Sequence, residues 1–251
     1  MATATIERTA PKVVSPAEWL AARKQLLAKE REFTHLRDEL SRQRREMPWE
    51  KVEKKYVFEG AKGKQTLDEL FDGRDQLILY HFMLGPGWKE GCPSCSYLAD
   101  SFDGVTPHIR QRNTTFAVAS RATWPEIEAF QKRMGWRFHW VSSFGTDFNY
   151  DYQVTARKDE AGKTYYNYEL SEFPSDELPG LSVFSKRDGE IYHSYSSYAR
   201  GLDILLPTYN LLDMTPKGRN EDGLPWPMAW VRHHDRYEDS KPETSHCCSE
   251  K

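Results

Sequence analysis

The chain has no apolar run approaching the ~20 residues of a membrane-spanning helix, so no helical span is expected. It has little charge bias. Thirty-five Lys and Arg against 38 Asp and Glu give a formal net charge of −3, too small to imply a nucleic-acid-binding field or a membrane-surface field. The first fifteen residues lack the apolar stretch of a secretory leader, so a cytoplasmic, reducing location is expected. No Walker A loop and no complete G-x-G-x-x-G occurs, and no serine sits in a nucleophile-elbow pattern. No internal repeat is present. Only four cysteines occur in 251 residues.

What is present suffices for one large soluble domain with an appendage: 38% hydrophobic and 13% aromatic residues for a core, and 29% charged residues for the surface. Residues 1–15 read as a loose arm. Residues 16–47 read as an amphipathic helix, with Ser15 as N-cap, Pro16 at the first helical position and Pro48 as its stop. Trp19, Leu26, Phe33 and Leu40 recur every seven residues among eight basic and six acidic side chains. Such a stripe fits first an arm packed on its own domain, and second a helix that joins a homodimer. Residues 51–237 alternate strands and helices. Gln76–Leu84 and Thr115–Ser120 are apolar almost throughout, as buried central strands are. Trp124–Met134 reads as a helix stopped by Gly135, and Leu181–Lys186 with Ile191–Tyr195 as a hairpin turning at Asp188-Gly189. Leu202–Leu212 reads as a last helix, interrupted at Pro207, and residues 238–251 as a disordered tail.

Two of the cysteines stand in Cys92-Pro93-Ser94-Cys95, after a buried strand and the breaker Gly85-Pro86-Gly87. Strand, turn and C-x-x-C opening a helix is the thioredoxin-like arrangement for thiol–disulfide chemistry. With Pro93 as the first helical residue, Cys92 sits where unpaired N–H groups favour a thiolate, the attacking species; Cys95, one turn on, is the resolving thiol. The competing readings are two inert buried thiols, or half of a zinc site. The latter lacks a second C-x-x-C or an H-x₃₋₅-H, so no metal is expected.

Three further residues are candidates. His81, the titratable group in the strand leading to the cysteines, is placed to take the proton of Cys95, against the plainer reading of a hydrogen-bonded core histidine. Leu178-Pro179 precedes a strand and is a candidate cis-proline whose neighbouring backbone pairs with a substrate chain, against an ordinary strand-entry proline. Trp88 is a candidate for a substrate groove, against core packing.

Weaker signals favour plain readings. Asp147-x-Asn149-x-Asp151 begins like a calcium loop, but Tyr152 holds the place of the required glycine. Arg232-His233-His234-Asp235 reads as an exposed charged segment rather than a metal site. Cys247 and Cys248 lie in the polar tail and read as accidental thiols.

Several long motifs resemble a bacterial family catalogued as domain of unknown function 899. They are Tyr80-His81-Phe82-Met83-Leu84-Gly85-Pro86-Gly87-Trp88 with Gly91-Cys92-Pro93-Ser94-Cys95, Arg133-Met134-Gly135-Trp136, Ser142-Ser143-Phe144-Gly145-Thr146-Asp147-Phe148-Asn149-Tyr150-Asp151, Tyr198-Ala199-Arg200-Gly201-Leu202-Asp203 and Trp230-Val231-Arg232-His233-His234-Asp235. The resemblance runs from about Lys12 to Tyr237. It implies an α/β, thioredoxin-like sheet with helices on both faces plus the N-terminal helical extension, loosely related to peroxiredoxins, with no firmly assigned reaction.

The functional expectation is a dithiol–disulfide oxidoreductase with no cofactor. It would act on a protein or small-molecule thiol or disulfide, be reset by an external reductant, and have neither nucleic acid nor membrane as partner. The alternatives are a peroxidase and a non-catalytic redox-sensing module. The peroxidase reading meets a departure: Lys89 stands where a P-x-x-x-[ST]-x-x-C motif carries Thr or Ser, and Pro86 is one residue out of place.

Overall fold

The computed structural model describes residues 11–238. Cys247 and Cys248 therefore lie outside the described residues. The chain divides into two units, Met1–Pro48 and Trp49–Lys251.

The described part of the first unit is one helix, α1 (Pro16–Glu46), 31 residues long. Its start follows from local chemistry. The Ser15 hydroxyl accepts the Glu18 N–H at 3.3 Å and the Glu18 carboxylate accepts the Ser15 N–H at 3.0 Å, a reciprocal capping box. None of its residues is buried.

The second unit is built from β1 (Glu50–Lys51), β2 (Val57–Gly60), β3 (Gly63–Thr66), α2 (Leu67–Leu70), β4 (Gln76–His81), α3 (Pro93–Ala99) and α4 (Phe102–Arg110). There follow β5 (Thr114–Ser120), α5 (Trp124–Met134), β6 (His139–Ser142), α6 (Phe148–Asp151), β7 (Thr164–Tyr166), β8 (Glu169–Ser171), β9 (Gly180–Arg187), β10 (Glu190–Tyr198) and α7 (Pro207–Leu212). Eight strands form one sheet in the order β1-β10-β9-β4-β5-β6-β2-β3, and β7 with β8 form a separate hairpin.

The centre of the sheet is β4. It pairs in parallel with β5, which pairs in parallel with β6, through crossovers that carry α3–α4 and α5. On its other side β4 pairs antiparallel with β9, and β9 with β10. This βαβαβ unit, closed by an antiparallel hairpin and a terminal helix, with the C-x-x-C helix directly after the central strand, is a thioredoxin-like arrangement.

Side-chain alternation divides the core into two layers. From β4, Ile78 and Tyr80 meet Phe116 and Val118 of β5, and α3, α4 and α5 cover that face with Cys95, Leu98, Phe102, Ile127 and Phe130. The opposite face takes Leu77 and Leu79 of β4 with Ala117 and Ala119 of β5 against Leu70, Phe71, Phe148, Tyr152 and Phe184. Both sides are apolar and covered, so β5 is buried at every position. No helix of the described residues is long and apolar enough to cross a membrane.

Candidate active site

Pro93 opens α3 and leaves Cys92 at its N-cap, with φ −56° and ψ 128°. Proline suits the first helical position because its missing N–H has no intrahelical acceptor there. The preceding loop is fixed by backbone bonds. Cys92 N–H donates to the Met83 carbonyl at 3.0 Å, Trp88 N–H to Gly85 at 3.2 Å and Ala122 N–H to Leu84 at 2.8 Å. Gly87, with φ +76°, donates its N–H to Glu126 at 2.9 Å. Gly91 has to be glycine: a β-carbon there would collide with the rings of Phe82 and Phe130.

Both thiols are free; Cys92 is half-buried and Cys95 buried. Their proton affinities are driven apart. Cys92 is lowered from its ordinary value to about 7, first because the Cys95 thiol donates towards its sulfur. The N–H groups of Cys95 and Ser94 and the Ser94 hydroxyl also favour the anion, working against burial. Cys95 is pushed well above its ordinary value, by burial and then by the adjacent Cys92. One thiol is thus poised as a thiolate near neutral pH and the other held as a thiol. The rate of iodoacetamide alkylation at Cys92 is expected to rise with an inflection near pH 7. Cys95→Ala removes the leading stabiliser and is expected to move that inflection upward.

The residue of β4 that meets the cysteines is Tyr80. It is buried in the same layer, and its hydroxyl faces Cys95 and favours the Cys95 thiolate. His81 is not brought together with the cysteines. Successive side chains of a strand point to opposite faces. His81 therefore lies in the other layer, with its ring 5.6 Å from Phe148 and 6.1 Å from Tyr152. There its Nε2 is 2.8 Å from Ser182 Oγ, which is 2.8 Å from Ser196 Oγ, which is 2.7 Å from His193 Nε2. Burial first, and then His193, lowers the His81 pKa to about 3, so the ring is neutral.

The cis-proline expectation is corrected: no cis peptide occurs among the described residues, so Leu178–Pro179 is trans. The backbone there is engaged within the chain. Leu178 N–H donates to Val154 at 2.9 Å, and the Pro179 carbonyl accepts the Tyr166 hydroxyl at 2.7 Å. Trp88 is half-buried and packs against the layer that holds the cysteines, with its indole nitrogen over Gly85. Arg121 faces Glu177 at 2.6 Å, and no cation is among the leading stabilisers of Cys92.

The segment Arg232-His233-His234-Asp235 is a clamp on α3 rather than a free charged run. His233, 2% exposed, donates Nε2–H to the Gly91 carbonyl at 2.9 Å, next to Cys92; its Nδ1 accepts from Arg133 at 3.2 Å. Arg133 also bonds Asp235 and Glu90. His234 pairs at 2.6 Å with Asp100, the C-cap of α3. Both ends of the C-x-x-C helix are therefore tied to one C-terminal segment. Asp147 and Asp151 instead share Lys54 at 2.7 Å each. Among the described residues no group of three or more His, Cys, Asp or Glu gathers as a metal site.

Residues 8–237 match the family described as bacterial protein of unknown function, DUF899. The chain belongs to that family. No curated protein matches this DUF899 chain. Among solved structures it is similar to a mutant of PrxQ from Xylella fastidiosa, at 15% identity and TM-score 0.41, over 62% of this chain and 88% of that one. It is also similar to the peroxidoxin BcpB of Mycobacterium tuberculosis, at 13% identity and TM-score 0.41, over 66% and 97%. A third similar structure is the mitochondrial 2-Cys peroxiredoxin of Plasmodium falciparum, at 14% and 0.41, over 65% and 93%.

Proposed function

We propose that this DUF899 chain is a dithiol–disulfide oxidoreductase in which Cys92 attacks and Cys95 resolves. The observation that carries the reading is the opposed tuning of two neighbouring free thiols, Cys92 lowered to about 7 and Cys95 raised by burial. The Cys92 thiolate attacks one sulfur of a substrate disulfide. That S–S bond breaks, a Cys92–substrate disulfide forms, and the first substrate thiolate leaves. Cys95 then gives up its proton to that thiolate and attacks Cys92 sulfur; the Cys92–substrate S–S bond breaks and the second substrate sulfur leaves as a thiolate, which takes its proton from water. Two electrons pass to the substrate and a Cys92–Cys95 disulfide remains, which an external dithiol reduces. Tyr80, whose own pKa is raised by burial, keeps its proton and directs it at the Cys95 sulfur while charge develops there. Trp88, half-buried against the layer that holds the cysteines, is assigned to the substrate groove, and Pro179 acts through backbone that a substrate reaches only if the Tyr166 bond to it opens.

The test is steady-state reduction of a model disulfide by the full chain, with dithiothreitol as electron donor, beside consumption of hydrogen peroxide under the same conditions. Disulfide turnover well above peroxide turnover supports the reading. Peroxide consumption alone would replace it with a peroxidase, and neither activity would point to a redox-sensing module.

A further inference from the structure

The helix α1 carries a pattern independent of the redox site. Its apolar side chains Trp19, Leu26, Phe33, Leu36 and Leu40 are 59%, 56%, 66%, 57% and 44% exposed. At about 1.5 Å per residue the helix is roughly 46 Å long, room for four heptads. With Trp19, Leu26, Phe33 and Leu40 at heptad position a, the d positions are Ala22, Lys29, Leu36 and Gln43. The flanking positions then separate by charge. Position g holds Glu18, Gln25, Glu32, Glu39 and Glu46, and position e holds Arg23, Glu30, Arg37 and Arg44.

In a parallel two-stranded coiled coil, each g residue faces the e residue five positions further along the other strand. Here those pairs are Glu18–Arg23, Glu32–Arg37 and Glu39–Arg44, with only Gln25–Glu30 lacking opposite charges. An antiparallel pair would set g against g and e against e, acid facing acid and base facing base at every position but Gln25 and Glu30. The charges therefore select a second copy of the same helix, running in the same direction.

We propose that α1 joins two copies of this chain as a parallel, in-register coiled coil. The present intrahelical partners do not oppose this. Glu32 bonds Lys29, Glu39 bonds Arg42 and Arg23 bonds Glu30, all solvent-exposed, so exchanging them costs little; Glu18, whose carboxylate closes the cap on Ser15, contributes least to the seam. Lys29 and Gln43 in the d layer weaken the seam, so association is concentration-dependent rather than permanent.

The experiment is sedimentation velocity on the full chain over a concentration series, with four sequences. The wild type is expected to move from monomer to dimer. Glu32→Arg with Glu39→Arg places like charges across both sides of the seam and is expected to weaken dimerisation at least tenfold; Arg37→Glu with Arg44→Glu is expected to do the same. All four changes together restore opposite charges and are expected to restore the dimer. Circular dichroism checks that each variant keeps its helix, and the fourfold variant shows that loss in the others is electrostatic. A wild type that stays monomeric, or a dimer indifferent to the reversals, would overturn the proposal. Neither result bears on the Cys92–Cys95 couple.

Discussion

Cys92→Ser is expected to reduce disulfide turnover to the uncatalysed background, while Cys95→Ser is expected to accumulate a stable mixed disulfide on Cys92. The asymmetry follows from the two environments. Attack requires a thiolate, and with its pKa lowered to about 7 Cys92 is about half ionised at neutral pH. An ordinary cysteine near 8.5 is only a few per cent ionised there, so the local hydrogen bonds raise the reactive fraction by roughly tenfold. A serine hydroxyl supplies no comparable nucleophile. Cys95 is not the nucleophile of the first attack, and a serine hydroxyl in its place can still donate to the Cys92 sulfur, so Cys95→Ser retains that step and removes the second. Serine is close in size to cysteine and Cys92 is half-buried, so Cys92→Ser is expected to change stability by no more than about 0.5 kcal/mol. Mass spectrometry of the Cys95→Ser protein after exposure to a model disulfide reads the trapped species directly. Turnover that survives in Cys92→Ser would remove Cys92 from the chemistry.

Folding stability is expected to fall steeply as pH drops below about 6.5, with His81 as the largest contributor. An imidazole in the unfolded chain titrates near 6.5, whereas burial holds the His81 pKa at about 3 in the fold. Between these values the unfolded chain binds a proton that the folded chain does not. Acid therefore favours unfolding, and the stability held by neutral His81 above pH 6.5 is lost progressively towards pH 3. The separation corresponds to up to about 5 kcal/mol from this one group. His193 and His139, both lowered by burial, act in the same direction. Urea denaturation at pH 7.5, 6 and 5 checks this. His81→Asn is expected to lower stability at pH 7.5, because a buried hydrogen-bond network is broken, and to flatten the pH slope. A slope unchanged in His81→Asn would mean that other groups carry the acid sensitivity.

The buried runs of β4 and β5, the helix Trp124–Met134 and its stop at Gly135, with φ +67°, were legible in the sequence because each has a local cause. The hairpin was legible too: Asp188 and Gly189, with φ +55° and +80°, supply the two left-handed residues that its tight turn needs. The helix α4 is not legible in the sequence, because Gly104 and Pro107 resemble breakers, yet Phe102 and Thr106 bury one face of it. The choice between Tyr80 and His81 was not legible either. Gln76–Leu84 is apolar on both faces, so its pattern does not say which face meets the cysteines; the packing of α3 decides it. The burial of His233 is not legible in the sequence because its partners Gly91 and Arg133 are 142 and 100 positions away in the chain. A pair of histidines among charges carries no sign of which one the fold will bury.

The most direct measurement is a glutathione redox titration of the full chain, with thiols resolved by mass spectrometry so that Cys92 and Cys95 are distinguished from Cys247 and Cys248. A reversible Cys92–Cys95 disulfide with a single defined midpoint is expected, the two-electron couple of neighbouring thiols held in opposite protonation states. If both thiols stay reduced and unreactive until the protein unfolds, the C-x-x-C helix is structural and the oxidoreductase reading is contradicted.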